Sequence, residues 1–381
     1  MPATNSSPSA AAPLSSIDRS IGWSLRREQN QIHSFLSPPD DATDAFQRRA
    51  AELLTNLFAP LADDVLSLAW TRRLLDAFLL CLEEFHTLLF GSGISPATRP
   101  PLDRLAADIF DRTVKALDLC NAVRDGLDLV RQWRKHLAIA AAVLASSSSS
   151  ASSSSPPLGE AQIRRARKAL TDLTILMLED RDGGASSASA TAPSVPVLER
   201  VLAWSAARQL QAIGEACPCP ARRTTPPREA SPRQSHTMGA VLFIVAFALV
   251  AAIPCQDRGL HVHFSVPRNL PCSGPITTLY ERILDESKKK ERKNSCGLLK
   301  EIHQIELSSR HLMEITDAAE FPLHEDKDTQ VREAAQDLVQ LCETIKEGLD
   351  PLEREVRQMF HRIVRTRTEI LDCLSKPHGT Q

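Results

Sequence analysis

The amino-acid sequence predicts an all-α protein: an elongated antiparallel helical bundle joined by disordered Ser/Pro-rich loops. Three observations lead to this prediction. Apolar residues recur three and four positions apart over long stretches, as on one face of a helix. The 381 residues are 43% apolar but only 4% aromatic, and residues that favour helices dominate. No stretch alternates apolar and polar residues for long enough to predict a strand.

The N-terminal third begins with a tail and continues as helices. Residues 1–42 are rich in Ser, Pro and Ala, so they are predicted to be mostly disordered. The N-terminal helical part covers 43–145, and Pro60 interrupts its first helix because proline lacks the backbone N–H that a helix interior needs. Three helical patterns make up this part, over residues 46–61, 66–89 and 102–144.

Changes of composition divide the rest of the chain. Residues 146–157 form a Ser-rich linker, because a serine tract cannot build a packed core. Central helices are predicted over 158–213 and a Pro/Arg-rich loop over 214–237. An apolar helix and C-terminal helical hairpins occupy 238–376. We expect a single domain that covers about 25–375.

The C-terminal pattern is a heptad repeat. Apolar residues recur every seven positions from Val331 to Met359, and a second set lies four positions later, from Ala335 to Ile370. The segment Gly348-Leu-Asp-Pro351 interrupts the repeat, and Asp350 would cap a new helix that begins at Pro351. Two antiparallel helices are therefore favoured over one long coiled-coil helix.

The apolar run from Gly239 to Ile253 contains no charged residue. With Met238 it is about 16 residues long and would span roughly 24 Å, short of the ~30 Å hydrocarbon core. A membrane span, a shallow membrane hairpin and a buried core helix all remain open, and the context favours the core helix. The residues predicted to form this membrane or core helix are Gly239, Val241, Leu242, Phe243, Ile244, Val245, Phe247, Leu249, Val250 and Ile253.

A basic run follows the apolar helix by some 35 residues. Such a run can contact a protein partner or anionic lipid head groups, or it can simply form an exposed helix face. The residues predicted to form a partner or lipid face are Lys288, Lys289, Lys290, Arg292 and Lys293.

Motifs for catalysis are missing from the sequence. It has no GxGxxG, P-loop, HExxH or GxSxG pattern, so we predict no enzyme activity, no catalytic residue and no cofactor. His261 and His263 lack a third ligand at a known spacing, and no metal site is predicted. The nine cysteines include no CxxC pair and are predicted to be reduced and structural. The net charge of −2 argues against a nucleic-acid partner, and no small-molecule substrate is evident.

Several short stretches occur in an order that resembles one plant family, the BYPASS-related, ROH-type proteins. The resemblance extends over about 25–375, and no single stretch is specific. The matching stretches are Leu66–Trp70, Leu74–Phe78, Glu83–Phe85, Pro101–Leu105, Lys115–Val123, Arg164–Leu170, Leu249–Gly259 and Phe360–Leu371. The chain departs from the family pattern over about 184–237, which is Pro/Arg-rich here.

This resemblance implies a non-enzymatic helical protein of plant development or secretion. Members are similar to developmental regulators and to a partner of an exocyst subunit, so we expect the chain to bind a helical protein of that kind. The expected location is the cytoplasm or the membrane periphery. The alternative is a single-pass membrane-anchored signalling protein that uses 239–253 as its span.

Overall fold

The computed structural model describes residues 38–58, 65–90, 102–145, 158–181, 205–215, 233–255, 260, 262–289, 292, 295–317 and 319–375. All regular secondary structure in these residues is helical, so the all-α prediction is confirmed for them. The chain divides into two units, residues 1–45 and 46–381. Of the first unit, only 38–45 are described, and they form the beginning of a helix.

Nine α-helices follow one another in the described residues, and a short 3₁₀ turn, Asn56–Phe58, extends the first. They are α1 (Pro38–Thr55), α2 (Leu68–Phe90), α3 (Leu102–Ala145), α4 (Glu160–Arg181), α5 (Ala206–Glu215), α6 (Arg233–Ala252), α7 (Ser273–Lys288), α8 (Lys300–Asp317) and α9 (Glu325–Ser375).

Two helices begin earlier than predicted. Helix α1 begins at Pro38, inside the predicted tail, and α6 begins at Arg233, inside the predicted Pro/Arg-rich loop. The first turns of α6 are polar in sequence, yet Ser235 and Thr237 are buried there, so tertiary packing extends the helix beyond its apolar part. The linker 146–157 and the predicted helical residues 197–204 lie outside the described part of the chain.

Helices α3, α6 and α9 organise the core of the larger unit. Helix α9 packs mainly against α3 and α2. Helices α4 and α5 also pack against α3. Helix α6 contacts α2, α3, α5 and α7. Their buried apolar residues form one connected cluster, in which Trp70, Trp133 and Phe247 are among the largest fully buried side chains. The long helices thus enclose a short apolar one.

Helix α9 runs without a break from Glu325 to Ser375, with Pro351 inside it. The prediction of two antiparallel helices, and with it a C-terminal hairpin at this point, was wrong. A proline in a helix interior costs about 3 kcal/mol, because it removes a hydrogen bond and crowds the preceding turn. Leu349 and Leu352, on either side of the proline, are both buried, so the apolar seam that packs on the other helices continues through it.

Two further contacts hold this part of α9 in place. Arg131 of α3 donates hydrogen bonds to Asp350 at 3.1 Å and to Glu353, on both sides of the proline. Gly348 permits close approach to α2, since a Cβ there would lie 2.7 Å from the Leu68 Cδ1 atom. The glycine and the proline, which predict a helix end from sequence alone, therefore lie in a helix that its neighbours stabilise.

The start of α2 is capped by a residue far away in sequence. The Leu68 N–H donates to the Glu301 carboxylate of α8, with distances of 3.1 and 3.2 Å to its two oxygens. Ser67 accepts from the Trp70 N–H at 3.1 Å, as an N-cap residue does. Leu66 adopts a left-handed backbone with φ of 64°, and the Lys300 N–H donates to its carbonyl at 2.8 Å. The turn before α2 and the start of α8 are thus joined.

Near its C-terminal end, α9 is paired with α2 through Glu369. This carboxylate contacts His86 of α2 and accepts from Arg365 at 2.8 Å. Burial acts to raise the pKa of Glu369, but the hydrogen bonds from Arg365 and His86 outweigh it and hold the pKa below its ordinary value. The charged carboxylate is therefore favoured in the folded protein.

This pKa predicts an acid-sensitive contribution to stability. A group whose pKa is lowered on folding stabilises the protein above its unfolded pKa, and the contribution is lost as the pH falls through the folded pKa. We expect Glu369→Gln to lower the free energy of unfolding by up to about 1 kcal/mol near neutral pH. The difference from wild type should shrink as the pH falls through the lowered pKa of Glu369. Urea denaturation at neutral pH and at a series of lower pH values measures it, and a difference independent of pH would contradict the prediction.

Candidate functional site

The apolar helix α6 lies inside the protein. An 18-residue window, Ser235–Ala252, is long and apolar enough to cross a membrane, with a mean hydropathy of 2.0, yet 94% of it is buried. All ten residues predicted for a membrane or core helix are buried, including Leu242, Phe243, Val245 and Phe247. The other helices therefore cover α6 on every side.

Aromatic contacts show what surrounds α6. The Phe243 ring stacks on Phe264 with 3.7 Å between centroids, and the Phe247 ring lies 4.8 Å from Tyr280 of α7. The Tyr280 hydroxyl donates to the Val262 carbonyl at 2.6 Å. The irregular segment after α6 and helix α7 thus fold back onto its aromatic face.

The C-terminal end of α6 is capped by backbone from another part of the chain. The last carbonyls of a helix have no partner within it and need another donor or water. The Leu298 N–H donates to the Ala251 carbonyl at 2.9 Å, and the Leu299 N–H donates to the Ala252 carbonyl at 3.1 Å. The protein itself therefore satisfies the polar end of this helix.

The basic run begins at the end of α7. Lys288 and Lys289 are exposed and pair with Asp285 at 3.4 Å and Glu286 at 2.7 Å. Arg292 donates to the Leu299 carbonyl at 3.3 Å. Lys290 and Lys293 lie outside the described residues. Exposed ion pairs are weak, so a partner or lipid face remains a prediction.

A groove opens between α4 and α8, which sequence reasoning did not predict. The two helices run antiparallel, because Arg167 early in α4 pairs with Asp317 at the end of α8, while the Cys296 thiol before α8 donates to the Met177 carbonyl at 3.0 Å. The cavity measures about 420 Å³. Its lining residues are Leu173, Thr174, Met177, Leu178, Cys296, Glu306, Ser309, Arg310, Met313, Glu314 and Asp317.

Only one signal in the sequence points to this groove. Leu178 is apolar but lies off the stripe that Leu170, Leu173 and Met177 form toward the core, and its exposed fraction is 42%. The residues of α8 that line the groove are mostly polar, so their pattern alone predicts an ordinary solvated face. The groove arises from how the two helices are placed.

The thiols and the other potential ligands show no arrangement for chemistry in the part of the chain that the structure covers. None of the six cysteines whose side chains the structure describes forms a disulfide bond. Burial raises the pKa of Cys81 and of Cys120 to about 12, and that of Cys342 to about 11, so these thiols are poor nucleophiles. No group of three or more His, Cys, Asp or Glu side chains in the described ranges could hold a metal ion.

Comparison with known proteins decides the family. The model of the protein family described as "Protein ROH1-like" matches residues 13–201 and 191–374. The chain belongs to the ROH1-like family. The resemblance read from the ordered stretches of sequence is thereby confirmed.

Two relatives from Arabidopsis thaliana align with almost the whole ROH1-like chain. It is 44% identical to Protein ROH1D over 398 aligned positions, which cover 97% of this chain and 100% of the relative. It is 32% identical to Protein ROH1A over 388 positions, which cover 87% and 90%. No solved structure matches the chain. The residues that the family model matches include the helices that form the groove and the apolar helix.

Proposed function

We propose that this ROH1-like protein is a non-enzymatic interaction protein of plant development or secretion, which binds a helical protein such as an exocyst subunit. The groove between α4 and α8 carries the proposal. It presents apolar side chains to solvent beside charged ones, as surfaces that receive an amphipathic helix do. The long helices α3 and α9 provide a rigid support, because their apolar faces are buried against each other and against α2.

Direct binding to purified exocyst subunits tests this function. The full chain is immobilised and each subunit is passed over it at increasing concentration. We expect saturable binding to at least one subunit. Failure of every folded subunit to bind would contradict the proposed partner.

The alternative function is that of a single-pass membrane-anchored signalling protein, and the hydropathy of α6 is the observation that favours it. The burial of α6 against α2, α3, α5 and α7 weighs against it, because insertion would require those contacts to be given up. We therefore propose a cytoplasmic or peripheral membrane location.

Alkaline carbonate extraction of membranes from plant cells that express the tagged full chain separates these alternatives. The proposed location predicts release of the protein into the soluble fraction. Retention in the membrane pellet, beside a known integral membrane marker, would favour the spanning helix.

A further inference from the structure

We infer that the groove between α4 and α8 receives a basic amphipathic helix of a partner protein. This inference rests on the proposed interaction function and adds the chemistry of the partner. Such a helix would insert apolar side chains into the groove and place Lys or Arg against its rim. Three features of the groove support this occupant.

The floor of the groove is apolar and adaptable. Leu173, Met177 and Met313 line it, and the cavity of about 420 Å³ is large enough for more than one apolar side chain. Methionine is flexible and polarisable, so a floor that contains two of them can adjust to inserted groups. Ser309 is buried in this floor, and its hydroxyl has no hydrogen-bond partner among the described residues.

Apolar side chains are also exposed on the two helices that form the groove. Leu178 on its rim has an exposed fraction of 42%, and Ile175 on the same helix one of 48%. On α8, Leu307 lies one turn before Arg310 and has an exposed fraction of 47%. Single exposed apolar residues are ordinary, but Leu178 lines the cavity and Ile175 lies three positions before it on the same helix, so these two side chains extend the apolar surface that a partner would cover.

The charges of the residues that line the groove favour a partner helix whose polar face is basic. Three carboxylates, Glu306, Glu314 and Asp317, line the groove with a single cation, Arg310. Asp317 pairs with Arg167, and Glu306 accepts from Ser295 at 2.8 Å. Glu314 is exposed and makes no ion pair with the described residues. With Arg167 included, three carboxylates lie beside two guanidinium groups, so the rim keeps a net charge of −1, which favours a basic helix over an acidic one.

Methionine NMR can locate such a helix, because only five methionines occur in the chain. The probe is a synthetic amphipathic helix of about four turns, with leucines on one face and lysines on the other. It is added to full-length protein with ¹³C-labelled methionine methyl groups. We expect the Met177 and Met313 signals to shift and those of the core residues Met238 and Met359 to stay. Binding without shifts at Met177 and Met313 would overturn the inference.

Variants of exposed residues test the two components of recognition separately. Leu178→Asp should weaken binding of the lysine peptide about tenfold or more, since it places a charge in the apolar contact. Its matched control is Leu80→Asp, which changes a leucine on α2 with an exposed fraction of 51% and should leave binding unchanged. Glu314→Lys should weaken binding about threefold to tenfold. Glu333→Lys on the exposed face of α9 serves as its control. Equal losses in the variants and their controls would overturn the inference.

Peptides and whole partners distinguish this inference from the function on which it rests. A peptide with glutamates in place of the lysines should bind at least about tenfold more weakly, and equal binding would overturn the inference of a basic partner.

Binding of whole partners separates this inference from the function on which it rests. If an exocyst subunit binds wild type and both groove variants equally, the proposed function stands and the groove inference fails. If no subunit binds but the lysine peptide binds and shifts the Met177 and Met313 signals, the groove inference stands and the exocyst subunit is the wrong partner. If the groove variants instead abolish self-association of the chain, the occupant is a second copy and the inference is overturned.

Discussion

Gly126→Ala is expected to lower the free energy of unfolding by about 3 kcal/mol, because α3 and the residues that directly follow α6 approach each other too closely for a side chain. A Cβ at this position would lie 2.1 Å from the Pro254 carbonyl oxygen and 2.6 Å from the Ile253 Cγ2 atom. The nearer atom belongs to the backbone, so no change of side-chain rotamer relieves the clash. Urea denaturation followed by circular dichroism measures the loss.

The matched control is Gly274→Ala, in helix α7. No atom lies within 4 Å of a Cβ built there, so the change should be neutral or stabilise the protein by up to about 1 kcal/mol through helix propensity. The two substitutions are chemically identical and both lie in helices. If they have equal effects on stability, α3 and α6 do not pack as closely as the structure shows.

Glu301→Ala is expected to cost about 3 kcal/mol of stability, because it removes a buried acceptor from the start of α2. Glu301 has an exposed fraction of only 6%, and the Leu68 N–H that donates to it is also buried. Truncation leaves that N–H without the acceptor and opens space next to the left-handed turn at Leu66. The measurement is again urea denaturation, with the spectrum of the folded state checked first.

Glu301→Gln separates the hydrogen bond from the negative charge. The amide oxygen of glutamine can still accept from the Leu68 N–H, so this variant should lose less than half as much stability as Glu301→Ala. Ser67→Ala removes the local cap and should cost about 1 kcal/mol. A Glu301→Ala protein as stable as wild type would show that the distant cap contributes nothing to α2.

Long helices were well predicted from the sequence because their signal is local. Helix α3 begins at Leu102, as the periodicity of its apolar residues indicates, and ends one residue beyond Leu144. Helix α2 agrees with its pattern to within two residues at each end. In both helices one face is buried along most of the described length. The apolar residues therefore recur at the helical spacing of that buried face, which is the pattern read from the sequence.

Prediction failed where neighbours outweigh local preference. Gly348 and Pro351 are residues that end helices, yet α9 continues because the apolar seam, Leu68 and Arg131 all stabilise the continuous form. The groove was missed for a related reason. Its two sides come from segments about 120 residues apart in sequence, and neither segment alone differs from an ordinary amphipathic helix.

The sequence by itself determined that the chain is helical and that the run Gly239 to Ile253 needs an apolar environment on every side. It could not determine what provides that environment, because lipid and a protein core are equally apolar to an isolated helix. Only the tertiary structure decided the surroundings: the aromatic contacts of Phe243 and Phe247, and the N–H groups of Leu298 and Leu299 on the last carbonyls. These contacts join segments that are separated in sequence, so they follow from the assembled fold.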